Sequence, residues 1–384
     1  MLLAGCGSPT IPSSSPGVTS VTTDATSAPG TPTPIPTPRP APGHEVFGYV
    51  PYWEMDAGIA DHLAKTRLTT LALFSVTTKR SGVINTTLSG YKKITGDIGR
   101  QLIREAHDRG VRVELVYTSF GYDKNKTFFT GPVKTQDKAI ASLVTLADQI
   151  GVDGINVDVE LIDDTDVPSY GAFVGRLRDA LRKTINDGQV SVATTSGPRG
   201  ASMAVAATAL GADRVFLMGY DYHWKGSAPG ASSPIARRDG KPNDLAWSLD
   251  LYEAAGVPID RTILGLPLYG MTWPVVDAEL GSLETGKGDT WVPRSHLDIL
   301  QDPKIVPVRD PVELVDFYAL PTPQPDGTTT WTAVYVDSPD TLGQKMGLAD
   351  DRGLAGVGFW AIGYERGLPE YTALIERFAT GTLR

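Results

Sequence analysis

Eight short runs of apolar and β-branched residues recur along the sequence, separated by longer segments with helical periodicity. The runs are Val46–Val50, Thr70–Val76, Val111–Thr118, Gly154–Leu161, Val190–Thr195, Arg214–Tyr220, Thr262–Tyr269 and Gly356–Ala361. The helical segments include Ile98–Arg109, Gln136–Ile150, Tyr170–Asn186 and Asp244–Ala255. Strands that alternate with helices pair in parallel, and eight such units close into a barrel. We therefore predict an α/β fold of the (β/α)8 TIM-barrel type.

The alternative fold is an open, doubly wound parallel sheet. Nucleotide-binding members of that class place a glycine-rich phosphate-binding turn directly after the first strand. In this chain the first run continues as Gly48-Tyr49-Val50-Pro51-Tyr52-Trp53, which has aromatic residues and a proline in that place. The sequence therefore favours the barrel.

One interval between the runs is much longer than the others. Residues 272–354, between the seventh and eighth runs, contain two strand-like segments, Val312–Ala319 and Thr329–Val336, around the turn-rich Pro321–Gly327. This pattern predicts a hairpin within a small α+β insertion, followed by a helix at Lys345–Asp351 that leads into the last strand. Long insertions usually lie on the loops at the catalytic face of a barrel, so we expect this lobe to border the active site.

The first 43 residues differ in composition from the rest of the chain. Leu3-Ala4-Gly5-Cys6 resembles the lipobox of bacterial lipoproteins, in which the cysteine after the cleavage site carries the lipid. Too few apolar residues precede it for a whole signal peptide, so residues 1–6 are interpreted as a truncated signal with its lipobox. Residues 7–43 are rich in Pro, Ser, Thr and Gly, which predicts a disordered linker. The chain is expected to be extracellular, attached to the bacterial membrane only through lipid on Cys6, with residues 44–384 forming the catalytic barrel.

Charge and composition exclude several classes of function. The net charge of −9 and the absence of a basic stripe argue against a nucleic-acid partner. A single cysteine excludes an internal disulfide. The five histidines are scattered, without metal-ligand spacing: His44, His62, His107, His223 and His296. No metal and no cofactor is therefore predicted.

The segment Asp153–Glu160 carries the strongest chemical signal. Side chains alternate between the two faces of a strand, so Asn156, Asp158 and Glu160 share the face opposite to the apolar residues. A buried polar network is the structural explanation for such a row. However, two carboxylates at i and i+2 near the end of a strand cannot both ionise cheaply, so one of them tends to hold a proton near neutral pH. A general acid requires that property.

The same segment resembles the DGxDxDxE signature of glycoside hydrolase family 18, the chitinase family. Further motifs of that family match in the expected order: Phe47-Gly48-Tyr49, Met218-Gly219-Tyr220-Asp221, Leu264-Gly265-Leu266-Pro267-Leu268-Tyr269-Gly270 and Val357-Gly358-Phe359-Trp360. The resemblance extends over about Glu45–Phe378. Within the family, the sequence resembles most the bacterial branch that includes spore-cortex and cell-wall glucosaminidases. It implies a retaining glycosidase that acts on a polysaccharide with N-acetyl groups, such as chitin or peptidoglycan.

The resemblance also implies roles for individual residues. Glu160 would be the general acid and then the base, while Asp158 would stabilise the acetamido group of the substrate, whose oxygen acts as the nucleophile in this family. Tyr220 would donate a hydrogen bond to that oxygen. Asp221 and Trp360 would bind the sugar, the latter by stacking beneath it. Asn156, Tyr49 and Tyr269 complete the predicted substrate-binding set.

Two alternatives to an active family member stay open. A non-catalytic, lectin-like member would bind the same glycans without cleaving them, although loss of the glutamate usually marks such proteins and Glu160 is present. An unrelated barrel enzyme or a surface structural protein is the second alternative, which the ordered motifs disfavour.

Two features depart from the family pattern, and one set of aromatic residues falls outside it. The family usually has aspartate where this chain has Asn156, and an amide cannot take up or release a proton. The family's SxGG motif on the third strand has no close match, since Tyr117-Thr118-Ser119-Phe120-Gly121 lies there. Aromatic residues that follow strand ends are candidates for outer sugar subsites or for plain surface packing: Trp53, Tyr122, Trp224 and Trp273.

Overall fold

The computed structural model describes residues 44–383, so the predicted lipidation site at Cys6 and the predicted linker lie outside the described part of the chain. In chain order its strands are β1 (Glu45–Pro51), β2 (Thr70–Val76), β3 (Arg112–Phe120), β4 (Gly154–Glu160), β5 (Gln189–Thr195), β6 (Arg214–Met218), β7 (Thr262–Pro267), β8 (Gly270–Val275), β9 (Asp289–Trp291), β10 (Val308–Asp310), β11 (Val315–Pro323), β12 (Thr329–Val336) and β13 (Gly356–Trp360). Eight of them form a closed parallel barrel in the order β1-β13-β7-β6-β5-β4-β3-β2. The predicted TIM barrel is confirmed.

Most of the helices lie between barrel strands or after the last one, while one short helix, Leu297–Leu300, lies in the insertion after β7. They are α1 (Ile59–Leu63), α2 (Ser89–Ile94), α3 (Asp97–Asp108), α4 (Tyr122–Thr130), α5 (Val133–Ile150), α6 (Val167–Thr184), α7 (Pro198–Ala209), α8 (Leu245–Ala254), α9 (Leu297–Leu300), α10 (Pro339–Arg352) and α11 (Pro369–Ala379). Local signals explain several ends: Gly151 closes α5 in the left-handed conformation, and the Asp244 side chain caps α8 by accepting from the Trp247 N–H at 2.9 Å. Within residues 44–383, no helix combines the length and apolarity needed to cross a bilayer.

The predicted barrel strands agree with the observed ones to within two residues at each end, whereas the strand predicted in the insertion at Val312–Ala319 is observed at Val315–Pro323, about three to four residues later. Among the barrel strands the differences reach two residues at β3, which ends at Phe120 rather than Thr118, at β6, which ends at Met218 rather than Tyr220, and at β7, which ends at Pro267 rather than Tyr269. The ladder between β6 and β7 ends where Met218 pairs with Gly265, and the Gly219 N–H still donates to the Gly265 carbonyl at 3.0 Å. Tyr220 and Tyr269 therefore lie on loops at the carboxyl edge of the barrel.

Apolar side chains pack in two layers on either side of the barrel wall. The outer layer fills the space between strands and helices. A separate cluster fills the lumen and consists of Phe47, Tyr49, Ala72, Phe74, Val116, Phe216 and Ile263. The Phe216 ring fits there because two neighbouring strands carry glycine beside it: a Cβ atom on Gly265 or Gly358 would lie 2.3 or 2.4 Å from the ring. The lumen is therefore a packed core rather than a channel.

The insertion after β7 is a small lobe around a five-stranded antiparallel sheet in the order β10-β11-β12-β8-β9. Its central hairpin consists of β11 and β12, as predicted from the turn-rich segment between them. Asp316 pairs with Val336 at one end of the hairpin, and Pro323 pairs with Thr329 at the other. The sheet begins at Gly270 and ends at Val336, and α10 then packs on β7 and β13 of the barrel.

A buried carboxylate joins the lobe to the loop that follows β6. Glu313 accepts hydrogen bonds from the backbone N–H groups of Ala231 (2.7 Å) and Arg238 (3.2 Å), and the His223 ring lies 3.3 Å from it. The other ring nitrogen of His223 lies 2.8 Å from the carbonyl of Ala228, so both nitrogens face acceptors. The loop after Asp221 is thus held against the lobe.

A buried ion pair holds the end of the lobe sheet to α10. The Lys345 ammonium lies 2.5 Å from Asp337, and both side chains are buried.

Removing one partner of a buried pair leaves an uncompensated charge, so we expect Lys345→Met to lower the free energy of unfolding by about 3–5 kcal/mol. Urea unfolding should show this loss, with Lys241→Met, at an exposed pair, as the control. The double variant Lys345→Met/Asp337→Leu should recover most of the loss; a single variant as stable as the parent would contradict the interpretation.

Candidate active site

The last residues of β4 bring the predicted carboxylates to the carboxyl edge of the barrel. Asn156 and Asp158 face the lumen and are buried, while Glu160, at the end of the strand, keeps partial contact with solvent. Ile155 and Val157 belong to the outer apolar layer, so the two faces of the strand separate as the alternation predicts. The strand therefore presents an amide and two carboxylates in a row from the core to the cleft.

Burial changes the protonation of the carboxylate pair. The pKa of Asp158 is raised well above its usual range, first because the group is buried and then because Glu160 repels its charge. The pKa of Glu160 is also raised, by burial and by the charge of Asp221. One oxygen of Asp158 (Oδ1) is buried without a hydrogen-bond partner. Both carboxyl groups therefore hold a proton to a higher pH than they would in water, and the free oxygen of Asp158 can accept a hydrogen bond from a bound molecule.

Three further predicted residues lie beside the pair on the loops after β6 and β7. Tyr269 donates a hydrogen bond of 2.5 Å to Asp221 Oδ1, and the rings of Tyr269 and Tyr220 are 6.2 Å apart. Burial raises the pKa of Tyr220 well above its usual range, so its phenol stays protonated and can donate. Asp221 remains exposed at the carboxyl edge of the barrel. The net shift of its pKa is upward, because partial burial raises the pKa more than the hydrogen bond from Tyr269 lowers it.

Trp360, the last residue of β13, is half-buried at the base of the cleft. Its ring packs edge-on against Phe74, with centroids 4.7 Å apart, and lies 5.6 Å from Tyr49 and 6.2 Å from Trp53. These contacts hold the indole in place while part of it remains open, which suits a flat surface for a sugar ring.

Asn156 lies in a hydrogen-bonded chain that runs from the cleft into the barrel. Its Oδ1 accepts from the Tyr49 hydroxyl at 3.0 Å, and its Nδ2 donates to Ser191 Oγ at 2.7 Å. Ser191 in turn donates to Glu114 Oε2. Glu114, on β3, is fully buried, and burial raises its pKa from 4.5 to about 7.

Two residues that position the site, Glu114 and Asn125, were not predicted from the sequence. Asn125, buried on α4, donates to the carbonyls of Ser119 (3.0 Å) and Glu160 (2.5 Å), and so fixes the backbone at the acid. Leu161 follows Glu160 with φ of 61°, a left-handed conformation that a branched side chain rarely adopts. A charge in the middle of an apolar strand could have indicated Glu114, whereas no local pattern indicates Asn125.

The candidate outer-subsite aromatics divide into two groups. Trp53, Tyr122 and Trp224 are 46%, 44% and 57% exposed at the carboxyl edge of the barrel, Trp53 and Trp224 on loops and Tyr122 as the first residue of α4. Trp273 is fully buried in the lobe and donates to the Ser227 carbonyl at 3.1 Å. Its prediction as a sugar-binding candidate is wrong, because β8 begins at Gly270 and turns the indole into the lobe core.

A parallel barrel whose fourth strand ends in two carboxylates has the acid and base groups that glycosidases use. Residues 45–365 match the model of glycosyl hydrolases family 18, and the chain belongs to this family. Endochitinase 1 of Metarhizium robertsii is 25% identical over 284 residues, which cover 70% of this chain. The match spans 65% of that relative, just under two thirds of its length.

Two solved structures share the fold. The spore cortex-lytic enzyme SleL of Bacillus cereus aligns with a TM-score of 0.69 and 18% identity, over 87% of this chain and 74% of that chain. A family 18 chitinase of Cycas revoluta, solved in complex with (GlcNAc)3, aligns with a TM-score of 0.72 and 17% identity, over 89% of this chain and all of that chain. At these identities the likeness concerns the fold.

The raised pKa of Glu114 predicts how stability changes with pH. The folded chain binds this proton more tightly than the unfolded chain, so the contribution is fully present below about pH 4.5 and is lost as the pH rises to about 7. The shift corresponds to about 3 kcal/mol. Glu114→Gln cannot ionise, so its free energy of unfolding should fall less than that of the parent between about pH 4 and pH 8. Urea titrations at several pH values measure the difference; parallel curves would show that Glu114 does not titrate in this range.

Proposed function

We propose that this chain is a glycoside hydrolase that cleaves β-linked glycans containing N-acetylglucosamine, with retention of configuration at the anomeric carbon. The observation that carries the proposal is the pair Asp158 and Glu160 at the end of β4, whose pKa values are both raised by burial. Membership of family 18 and the likeness to a chitinase and to a spore cortex-lytic enzyme support it.

In the first half of the reaction, Glu160 gives its proton to the glycosidic oxygen as the bond to the anomeric carbon breaks. The acetamido oxygen of the same sugar attacks that carbon and forms a cyclic, positively charged intermediate. Asp158 is suited to accept the acetamido N–H because its Oδ1 has no partner in the protein. Its negative charge then stabilises the intermediate. Tyr220, a neutral phenol, donates to the acetamido oxygen and orients it.

In the second half, the ionised Glu160 takes a proton from water, and the water oxygen opens the cyclic intermediate at the anomeric carbon. The acetamido group is regenerated and Glu160 is protonated again. Because the first step needs the protonated acid, kcat should fall as the pH rises through the raised pKa of Glu160. Asn125 keeps the acid in register by binding its backbone carbonyl.

Chitin-like and peptidoglycan glycans both fit the site as substrates. Each presents an acetamido group to Asp158 and Tyr220, and each presents sugar faces that stack on aromatic rings. Exposed rings are available beyond the catalytic pair at Trp53 and Tyr122 on one side and at Trp224 on the loop after β6. A chain of several sugars would extend over these surfaces.

We also propose that lipid on Cys6 tethers the enzyme outside the cell, with residues 7–43 as a spacer. The lipobox-like Leu3-Ala4-Gly5-Cys6 and the Pro-rich composition that follows support this location. Mass spectrometry of the protein from its native cells should find a mature amino terminus at Cys6 that carries lipid. A Cys6 with a free thiol, in protein that partitions into the aqueous phase of a detergent extract, would contradict the anchor.

The central test compares the parent with Glu160→Gln on N-acetylglucosamine oligomers and on purified peptidoglycan. The variant keeps the shape of the side chain but lacks the proton, so we expect kcat to fall by about 10²–10⁴ while binding persists. Proton NMR of the first product should show retained configuration. Glu376→Gln, an exposed change on α11, is the matched control and should leave kcat unchanged.

Three outcomes separate the possible conclusions. Loss of cleavage in Glu160→Gln alone supports the acid role and identifies the substrate. If the parent binds both glycans but cleaves neither, the chain is a lectin-like member of the family. If the parent neither binds nor cleaves them, the assignment of N-acetylated glycans is wrong.

A further inference from the structure

Glu114 is a buried carboxylate to which neither the family motifs nor the proposed reaction assigns a role. It lies on β3 between Ala72 of β2 and Gly154 of β4, with its side chain in the barrel. A Cβ atom at position 154 would lie 3.0 Å from Glu114 Cγ, so the glycine leaves room for the carboxylate. Its Oε1 is buried without a partner, and only Oε2 is hydrogen-bonded, to Ser191.

Several charged and titratable groups face this carboxylate from the surrounding strands. Arg112 at the start of β3 and Arg214 at the start of β6 favour its ionised form, while Asp213 opposes it. Arg214 is itself paired with Glu45 of β1 at 2.5 Å. The arginines and the hydrogen bond from Ser191 only partly offset burial, which leaves the pKa of Glu114 at about 7.

The chain of hydrogen bonds has a direction when Glu114 is ionised. The Tyr49 hydroxyl donates to Asn156, Asn156 donates to Ser191, and Ser191 donates to the carboxylate. Every hydrogen points away from the cleft because the chain ends on a group that can only accept. The Tyr49 hydrogen is therefore committed to Asn156 and is not available to Asp158, whose charge acts on this phenol.

A proton on Glu114 is placed at Oε2, because there it can be donated to Ser191, whereas Oε1 has no partner. Protonation at Oε2 reverses the direction of the chain. Glu114 then donates to Ser191, the Ser191 hydroxyl donates to Asn156 Oδ1 once the amide has turned by half a rotation, and Asn156 Nδ2 donates to the Tyr49 oxygen. The hydrogen of Tyr49 is released and can be directed at Asp158, whose charge already acts on this phenol. No bond other than hydrogen bonds changes.

We infer that Glu114 is a positioning residue which, through Ser191 and the Asn156 amide, decides whether Tyr49 donates a hydrogen bond towards Asp158. The inference rests on the proposed function for its effect on catalysis. The ionised form of Asp158 stabilises the charged intermediate, and a donor from Tyr49 favours that form. The active arrangement therefore belongs to the protonated state of Glu114.

Kinetics provide the first test. The ratio of kcat in the parent to kcat in Glu114→Gln should change with pH along a single titration curve with its midpoint near 7, because the effect of Glu160 cancels in the ratio. We expect the ratio to fall by about fivefold from the acid to the alkaline side, the effect of one hydrogen bond. Glu376→Gln should give a flat ratio. A flat ratio for Glu114→Gln as well would overturn the inference.

NMR provides a second test that does not need activity. With 13C in the carboxyl groups of glutamate and at Cζ of tyrosine, the Glu114 signal of the parent should titrate near pH 7, and the Tyr49 signal should shift with the same midpoint. In Glu114→Gln the Tyr49 signal should stay constant. In Ser191→Ala, Glu114 should still titrate but Tyr49 should no longer follow. A Tyr49 signal that ignores Glu114 in the parent would overturn the inference even if the protein cleaves glycans, and coupled signals would support it even if no substrate is found.

Discussion

Closure of the parallel barrel is the constraint on which the site depends. It forces alternate side chains of every strand into a lumen that is filled with aromatic and aliphatic groups, so a polar group there has few partners and no bulk water. On β4 this places Asp158 in the protein interior and Glu160 at its edge. The raised pKa values of both carboxyl groups follow from that burial, so each holds its proton more tightly than it would in water. The same enclosure acts on Glu114 deeper in the barrel.

The sequence predicted the elements that have a periodic signature and missed the contacts between distant segments. Alternation along Asp153–Glu160 was enough to place Asn156, Asp158 and Glu160 on one face, because a strand leaves no other arrangement. The partners of Asn156 could not be read in the same way, since Ser191 lies 35 positions away and reaches it only through strand register. Asn125 is a similar case, because its role comes from where α4 packs.

Aromatic residues after strand ends show the same limit. Trp53 and Trp224 are exposed at the carboxyl edge of the barrel, yet Trp273, which also follows a barrel strand, is buried. The difference is that the chain enters the sheet of the lobe directly at Gly270, and residues in that sheet belong to another core. Sequence patterns identify a side chain suited to stacking; the path of the backbone decides whether it meets solvent.

The packing of Phe216 has a consequence for how the barrel varies among relatives. Its ring occupies space that Gly265 and Gly358 leave empty on two neighbouring strands, so no side chain at either position fits while the ring is there. The side-chain volumes at positions 216, 265 and 358, on three strands, are therefore constrained together. In an alignment of homologues they should therefore covary: a smaller residue at position 216 should accompany alanine or serine at position 265 or 358. Substitutions at these positions are therefore coupled, although the positions lie far apart in sequence.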